Sequence, residues 1–527
     1  MMYRSSPVSD IPEENACVSQ LFAVKPLSQL TSDADHHGGP RLERSLGPVQ
    51  LISLGIGAII GAGIFSTVGS AAAGGANHLG AGPALVISFM LTALACGFAA
   101  LCYAEFASMV PIAGSAYTYS YATLGELVAW IIGWDLIIEY AIGNVAVAIS
   151  WSGYFQELLR GFGVTWPLWL GIDYRTAYRA LAEYQAAGGA TADLAPSVIR
   201  NAQAVLNAPH VFGVPLLFNL PAFLSVMGIT WVLVRGVRES AGFNTAMVVL
   251  KLVIIAFFLG VGAFYVTPDN WTPFAPNGFA GISSAAAIIF FAYIGFDAVS
   301  TAAEETKDPQ RNMPIGMIGS LVICTVIYMA VAIVLTGLTP WTQLGTAEPL
   351  ATAFSARGLH WVSGIISLGA VFATTSVLIV FQMGQPRIFF SMARDGLLPQ
   401  WAAKVHPKYQ TPHVTTILTG VFVGLLAGLA NIDEIVELTN IGTLFAFVLV
   451  AVGILILRRT NPHAHRPFRT PLVPAVPLLA IGSCGYLMFK LPWQTWERFF
   501  IWMALGLVVY FAYGYRHSKL RAQQEKG

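Results

Sequence analysis

Several polar side chains stand where they are costly. Lys251, in Val248-Val249-Leu250-Lys251-Leu252-Val253-Ile254, has no charged neighbour along an apolar run. Charge in hydrocarbon is expensive, so such a lysine must pair, shed its proton or line water. Low dielectric disfavours an ammonium group, which makes Lys251 the first candidate for a group that gains and loses a proton; the other reading is a static ion pair. Asp135 and Glu139 lie four apart, on one face of a helix. Two carboxylates there repel unless one is protonated or both meet cations. Either could pair with Lys251 at a similar depth, and Glu139 either reads a substrate or completes a structural ion pair. Asp297 has a capping role or faces a substrate, and Glu105, near the end of its run, is expected to be a structural partner. Thr374-Thr375-Ser376 either line a pocket, coordinate a small cation or bond their own helix backbone. No histidine falls inside an apolar run, which argues against a histidine relay. With no nucleophile, metal cluster or phosphate loop in a suitable context, neither enzyme activity nor a metal or cofactor is expected.

The elements that must position these groups are unusual helices. Gly55-Ile56-Gly57-Ala58-Ile59-Ile60-Gly61-Ala62-Gly63-Ile64-Phe65 interrupts an apolar run from Val49 to about Ala73. Glycine weakens a helix, and unwound backbone at membrane depth survives only against protein or a water-filled cavity. The stretch therefore marks a binding cavity or, through Gly57 and Gly61, a GxxxG packing face. A dinucleotide loop is disfavoured, because no strand precedes the glycines.

Of the 527 residues, 56% are hydrophobic and 10% charged, which selects a polytopic membrane protein over a large soluble one. The net charge of +1 and the scattering of basic residues give no nucleic-acid surface. The five cysteines, Cys17, Cys96, Cys102, Cys324 and Cys484, form no CxxC pair or cluster. Apolar runs of about 17 residues or more predict an all-α membrane protein with twelve transmembrane helices, at 49–73, 82–109, 127–159, 211–235, 241–266, 281–303, 314–338, 360–392, 412–430, 437–457, 472–490 and 497–515. Lys and Arg alternate with these runs. Arg41, Arg44, Arg235, Arg238, Lys307, Arg311, Arg394, Arg458, Arg459 and Arg516 fall on one side, whereas 74–81, 267–280, 431–436 and 491–496 have no Lys or Arg. The positive-inside rule then places both termini in the cytoplasm. The loop 110–126 lacks the expected basic residues, and the external insert 160–210 carries Arg160, Arg175, Arg179 and Arg200; long external loops translocate regardless of charge. The insert is expected to form a small helical cap.

A second Gly-interrupted run, Phe291-Ala292-Tyr293-Ile294-Gly295-Phe296-Asp297, lies in the sixth apolar stretch. Each interruption falls about 13 or 14 residues in, roughly 20 Å at helical rise. Paired broken segments point to a transporter site and an inverted repeat. The resulting division is a tail 1–44, a first five-helix repeat 45–266, a second 267–457, two C-terminal helices 458–515 and a tail 516–527. Half-helix N–H groups attract a carboxylate and unwound carbonyls attract an ammonium, so a zwitterionic amino acid suits such a site.

Gly57 to Phe65 resembles the first-helix signature of the amino acid, polyamine and organocation (APC) superfamily. Phe290 to Glu305, continuing to Asp308-Pro309-Gln310-Arg311, resembles its cationic amino acid transporter (CAT) branch and bacterial relatives, as does Pro386-Arg387 through Ser391-Met392-Ala393-Arg394-Asp395-Gly396-Leu397-Leu398-Pro399. The similarity runs from about residue 45 to 460. It implies a 5+5 inverted-repeat fold with discontinuous helices 1 and 6 plus two C-terminal helices. It also implies that Gly61, Ala62 and Gly63, beside Ile64, hold a substrate carboxylate, and that the backbone from Phe291 through Ala292 and Ile294 to Gly295 receives the amino group. Glu139 and Thr374 complete the candidate substrate-binding set. In proton-coupled members a fifth-helix lysine replaces a sodium site, and Lys251 matches it; Thr374 and Thr375 match the hydroxyls of sodium-driven relatives. The expectation is a secondary active amino acid permease of the inner membrane, working by alternating access, with amino acid, protons and the lipid bilayer as partners. Its rivals are a proton-independent cationic uniporter or exchanger and a transporter-like sensor. Bacterial relatives with these motifs carry neutral amino acids, so the side chain accepted is left open between neutral and cationic.

Overall fold

The computed structural model describes residues 21, 23–24, 46–75, 77–109, 115–187, 194–236, 241–409 and 411–524. Arg41, Arg44, Arg238, Cys17, residues 110–114 of the loop before Glu126 and nearly all of the expected 1–44 tail lie outside them. The described chain is helical apart from a short hairpin, β1 (His210–Val211) with β2 (Val214–Pro215).

The first apolar run is split. α1 (Pro48–Ile59) starts on a proline, whose fixed φ suits the first helical position, after Gly47. It ends where Ile60 turns extended at ψ 99°. A π-helical turn over Gly63–Thr67 leads into α2 (Val68–Ala73), and the two halves are bent by 45°. α3 (Leu85–Met109), α4 (Ser115–Thr123) and α5 (Glu126–Gly161) follow, then the insert with α6 (Tyr174–Ala186) and α7 (Pro196–Leu206), then α8 (Leu220–Arg235) and α9 (Ala241–Ala263).

α10 (Gly278–Ile289) begins the second broken stretch. It tightens to a 3₁₀ turn at Phe290–Tyr293, opens at Ile294 with ψ 134°, and resumes as a 3₁₀ segment over Asp297–Glu305. Gly295 sits at φ +116°, where a side chain is strained. Next come α11 (Pro309–Leu338), α12 (Pro349–Ser355), α13 (His360–Arg394), α14 (His413–Leu429), α15 (Ile432–Thr460), α16 (Ala475–Phe489) and α17 (Trp493–Val509).

Among the described residues seven helices are long and apolar enough to cross a membrane, the bent α1–α2 pair passes as one broken crossing, and α8, the α10 stretch, α14 and α16 are shorter apolar helices. The most apolar window of α5 is 89% buried, against 33% for that of α9 and 22% for that of the last long helix, so α5 is the central post. It packs along α13 and α15, while α11 packs on α1 and α3 and α9 leans on α1, α11 and α13. The insert carries its own small core of Ala177, Ala204, Val205, Ala208 and Leu217.

Candidate functional site

Both helix breaks strand carbonyl groups, because the last carbonyls of a helix have no donor one turn on. In a membrane interior each must be answered by another element. The last turn of α1 is answered from α9 and α11. Lys251, 1% exposed, donates from Nζ to Gly57 O at 2.7 Å, and the Tyr328 hydroxyl donates to Ile59 O at 2.9 Å. The end of α10 is answered from α15, where Asn440 Nδ2 donates to Ala287 O at 2.8 Å and to Ile288 O at 3.0 Å. Beyond the first break, the Tyr154 hydroxyl of α5 donates to Phe65 O. Lys251 thus puts its cationic head at the carbonyl end of a half-helix, where the backbone dipole favours positive charge.

The two breaks lie against each other. A Cβ added at Gly63 would stand 2.2 Å from Ala292 Cα, and one at Gly295 would stand 2.8 Å from Ala58 O. Gly61 is less constrained, with Val377 Cγ2 at 3.1 Å from the same construction. The closeness at Gly63 is therefore helix-to-helix packing. Gly61, Ala62, Gly63, Ile64, Phe291, Ala292, Ile294 and Gly295 are gathered and buried. The first N–H groups of the resumed helix 1 lie at this junction, where a helix start offers donors to an anion.

Lys251 does not meet Asp135 or Glu139, the partners open to it from sequence. The reason is packing: α9 leans on α1, whereas α5 faces α13 and α15. Glu139 is within hydrogen-bonding reach of Thr443 and lies in the field of Asp297 and Asp135. Asp297 Oδ1 accepts from Gly295 N at 3.3 Å, bracing the second break. The α13 hydroxyls bond their own helix: Thr374 to Ala370 O at 2.7 Å, Thr375 to Val371 O at 2.7 Å and Ser376 to Ala373 O at 2.9 Å; Thr375 also accepts from Trp151 Nε1 at 2.9 Å. Glu105 is wholly buried and structural, held by Arg458 at 2.8 Å, Arg466 at 3.1 Å and Thr470 N at 2.8 Å.

One turn past the first break, Ser66 and Thr67 line a cleft of about 620 Å³ on the insert side, with Ser70, His78, Glu348 and Glu437. The insert roofs it. Arg175 of α6 pairs with Glu434, and Arg200 of α7 reaches Glu348 at 3.1 Å. His78, between α2 and α3, lies 3.7 Å from Glu437. Burial alone would weaken its imidazolium, but the Glu437 carboxylate, with Asp433 and the Ser70 carbonyl, outweighs burial and raises its pKa above the ordinary value.

Sequence reading missed Tyr328, Asn440 and Tyr154, which close the breaks. A buried amide in the apolar run after Glu437 was a visible signal for Asn440; the tyrosines, apolar in body, gave none.

A helical integral membrane protein with a buried junction of two broken helices, one of them capped by a lysine, is defined by this geometry. Residues 46–510 match the amino acid permease family, and the chain belongs to it. It is 48% identical over 484 residues to the branched-chain amino acid permease BcaP of Bacillus subtilis, covering 92% of this chain and 96% of that one. It is 44% identical over 503 residues to the methylthioribose transporter of the same bacterium, covering 95% and 100%. Cationic amino acid transporter 9, chloroplastic, of Arabidopsis thaliana is 32% identical over 549 residues, covering 91% and 89%. The chain is a membrane transporter related to the cationic amino acid transporter branch and its bacterial members, and not an enzyme.

Proposed function

We propose that this chain is a proton-coupled symporter of amino acids with apolar side chains, working by alternating access in the inner membrane with both termini cytoplasmic. The observation that carries the coupling is Lys251: a lone buried amine bonded to a carbonyl at the end of a broken helix. Charged, it holds the break closed; once neutral, it gives up the charge-dipole attraction and frees α1 to move.

The substrate carboxylate is assigned to the N–H groups of Gly61, Ala62, Gly63 and Ile64, and its ammonium to the backbone of Phe291, Ala292, Ile294 and Gly295. Val377 lies against Gly61, and Ile64 and Ile294 are buried apolar residues of the two breaks, which suits an apolar substrate side chain; the branched-chain permease is similar over nearly its whole length. Thr374 stays in the set, three residues before Val377 on α13. Twelve crossings are assigned by counting the shorter apolar helices α8, α10, α14 and α16 as spans beside the long ones and the bent pair. A break within each of the two stretches, at Ile60 after α1 and at Ile294 after α10 and its 3₁₀ turn, supports the repeats 45–266 and 267–457, with 458–515 appended.

A second reading has one specific observation behind it. Glu139, Asp135 and Asp297 gather acids beside the second break, and relatives include transporters named for cationic amino acids. A proton-independent exchanger of cationic amino acids would use Glu139 to read the side chain. Uptake of labelled leucine and arginine into proteoliposomes, with and without an inward proton gradient at clamped voltage, separates the two. Gradient-stimulated leucine uptake is expected; arginine uptake indifferent to the gradient would favour the exchanger.

A further inference from the structure

Asp135 has no place in the scheme so far. It lies nine residues into α5, roughly 14 Å from the helix start at helical rise. It is 0% exposed, and neither carboxylate oxygen has a hydrogen-bond partner among the described residues. It packs on Gly442 of α15: a Cβ there would stand 2.6 Å from Asp135 Oδ1, so a side chain at 442 would force the carboxyl to shift. On its own helix Glu139 stands one turn on, has Oε2 unpartnered as well, and feels the charges of both Asp297 and Asp135. From α13, Gln385 donates to Ile137 O at 3.2 Å rather than to Asp135, and from α17 Trp502 donates to Trp134 O at 3.2 Å. Arg387 of α13 acts on Tyr140, and Lys251 is engaged at Gly57.

A carboxylate sealed in protein without a cation or donor is too costly to keep its charge, so the group is held as the neutral acid. We infer that Asp135 is a second proton-carrying group of the transport cycle, loaded while α5 and α15 are closed together and discharged when that seam takes in water. On discharge the carboxyl O–H bond breaks, the electron pair stays on the carboxylate and the proton passes to water. The end of α5 nearest Asp135 is the one where Arg521 pairs with Glu126 at 3.1 Å, beside the C-terminus, so release is to the side that holds the chain's end. This role rests on the proton-coupled reading above and adds a carrier to it.

The test is infrared difference spectroscopy of the full-length protein in lipid, with leucine added, combined with reversal-potential measurements of proton-to-leucine stoichiometry. In the native protein leucine should change a protonated-carboxyl band. Asp135→Asn should remove that band change, lower the stoichiometry by one proton per leucine and spare leucine counterflow, which moves no net proton. An unchanged band in Asp135→Asn, or an unchanged stoichiometry, overturns the inference. Should Asp135→Asn not fold, Gly442→Ala crowds the same carboxyl and should shift the band; a band insensitive to it also overturns the inference. Failure of the coupled reading looks different: native uptake would ignore the proton gradient while the leucine-induced carboxyl change, absent in Asp135→Asn, persisted, leaving the protonation change of Asp135 in place.

Discussion

Lys251 and the glycines carry the residue-scale consequences. Lys251→Met keeps length and removes the donor to Gly57 O; gradient-driven leucine accumulation should be lost while counterflow stays measurable. Normal accumulation in that variant would take Lys251 out of coupling. At Gly63 a side chain meets helix backbone, so Gly63→Val should abolish uptake and reduce the yield of monodisperse protein, since neither half-helix can retreat. Gly61→Ala crowds the Val377 side chain, whose Cγ2 would stand 3.1 Å from the new methyl group, and overpacking costs about 1–3 kcal/mol. Pairing it with Val377→Ala should restore most of the lost uptake; no rescue would mean that the methyl group obstructs something other than Val377. His78 makes a prediction about pH. Its folded pKa is raised, so its pairing with Glu437 is fully stabilising below the unfolded value near 6.5 and is lost as pH rises through the folded value. The melting-temperature gap between native protein and His78→Gln should be widest at mildly acidic pH and close as pH rises through that raised value; a gap independent of pH would contradict it.

Among the elements, buried and exposed ion pairs should behave differently. Glu105, 0% exposed, binds Arg466, whose side chain is 2% exposed, and Thr470, tying the chain after α15 back to α3. Glu105→Ala strands a buried guanidinium, and a loss of about 3–5 kcal/mol is expected in unfolding experiments. Arg175 of the insert is 66% exposed in its pair with Glu434, and Arg175→Ala should cost no more than about 1 kcal/mol. Equal losses would mean that the insert is integral to the membrane core. The sequence was most legible at this scale. Apolar runs marked the seven long helices and the bent pair among the described residues, and Gly61 to Gly63 and Gly295 marked both breaks, because hydropathy and glycine placement act locally. Glu105 was legible as a structural partner for the same reason. What could not be read was which helix faces which. Lys251 looked ready to meet Asp135 or Glu139, yet α9 turns it to Gly57, a choice made by tertiary packing across residues almost two hundred positions apart. Sequence showed that the α13 hydroxyls were present, but not whether they face a pocket or their own carbonyls.

For the whole molecule, family membership makes transport firm, and proton coupling through Lys251 is the central claim built on it. Two half-helices touch at their breaks, and α9 and α11 hold the carbonyl end of one while α15 holds that of the other. On the proposed reading, a proton leaving Lys251 would loosen the contact between the breaks, linking ion and substrate without a separate ion site. The most direct measurement is the external pH of a lightly buffered suspension of proteoliposomes at clamped voltage when leucine is added. Alkalinisation that follows leucine entry, and vanishes with Lys251→Met, is the expected result; leucine entry with no pH change in the native protein would contradict proton symport.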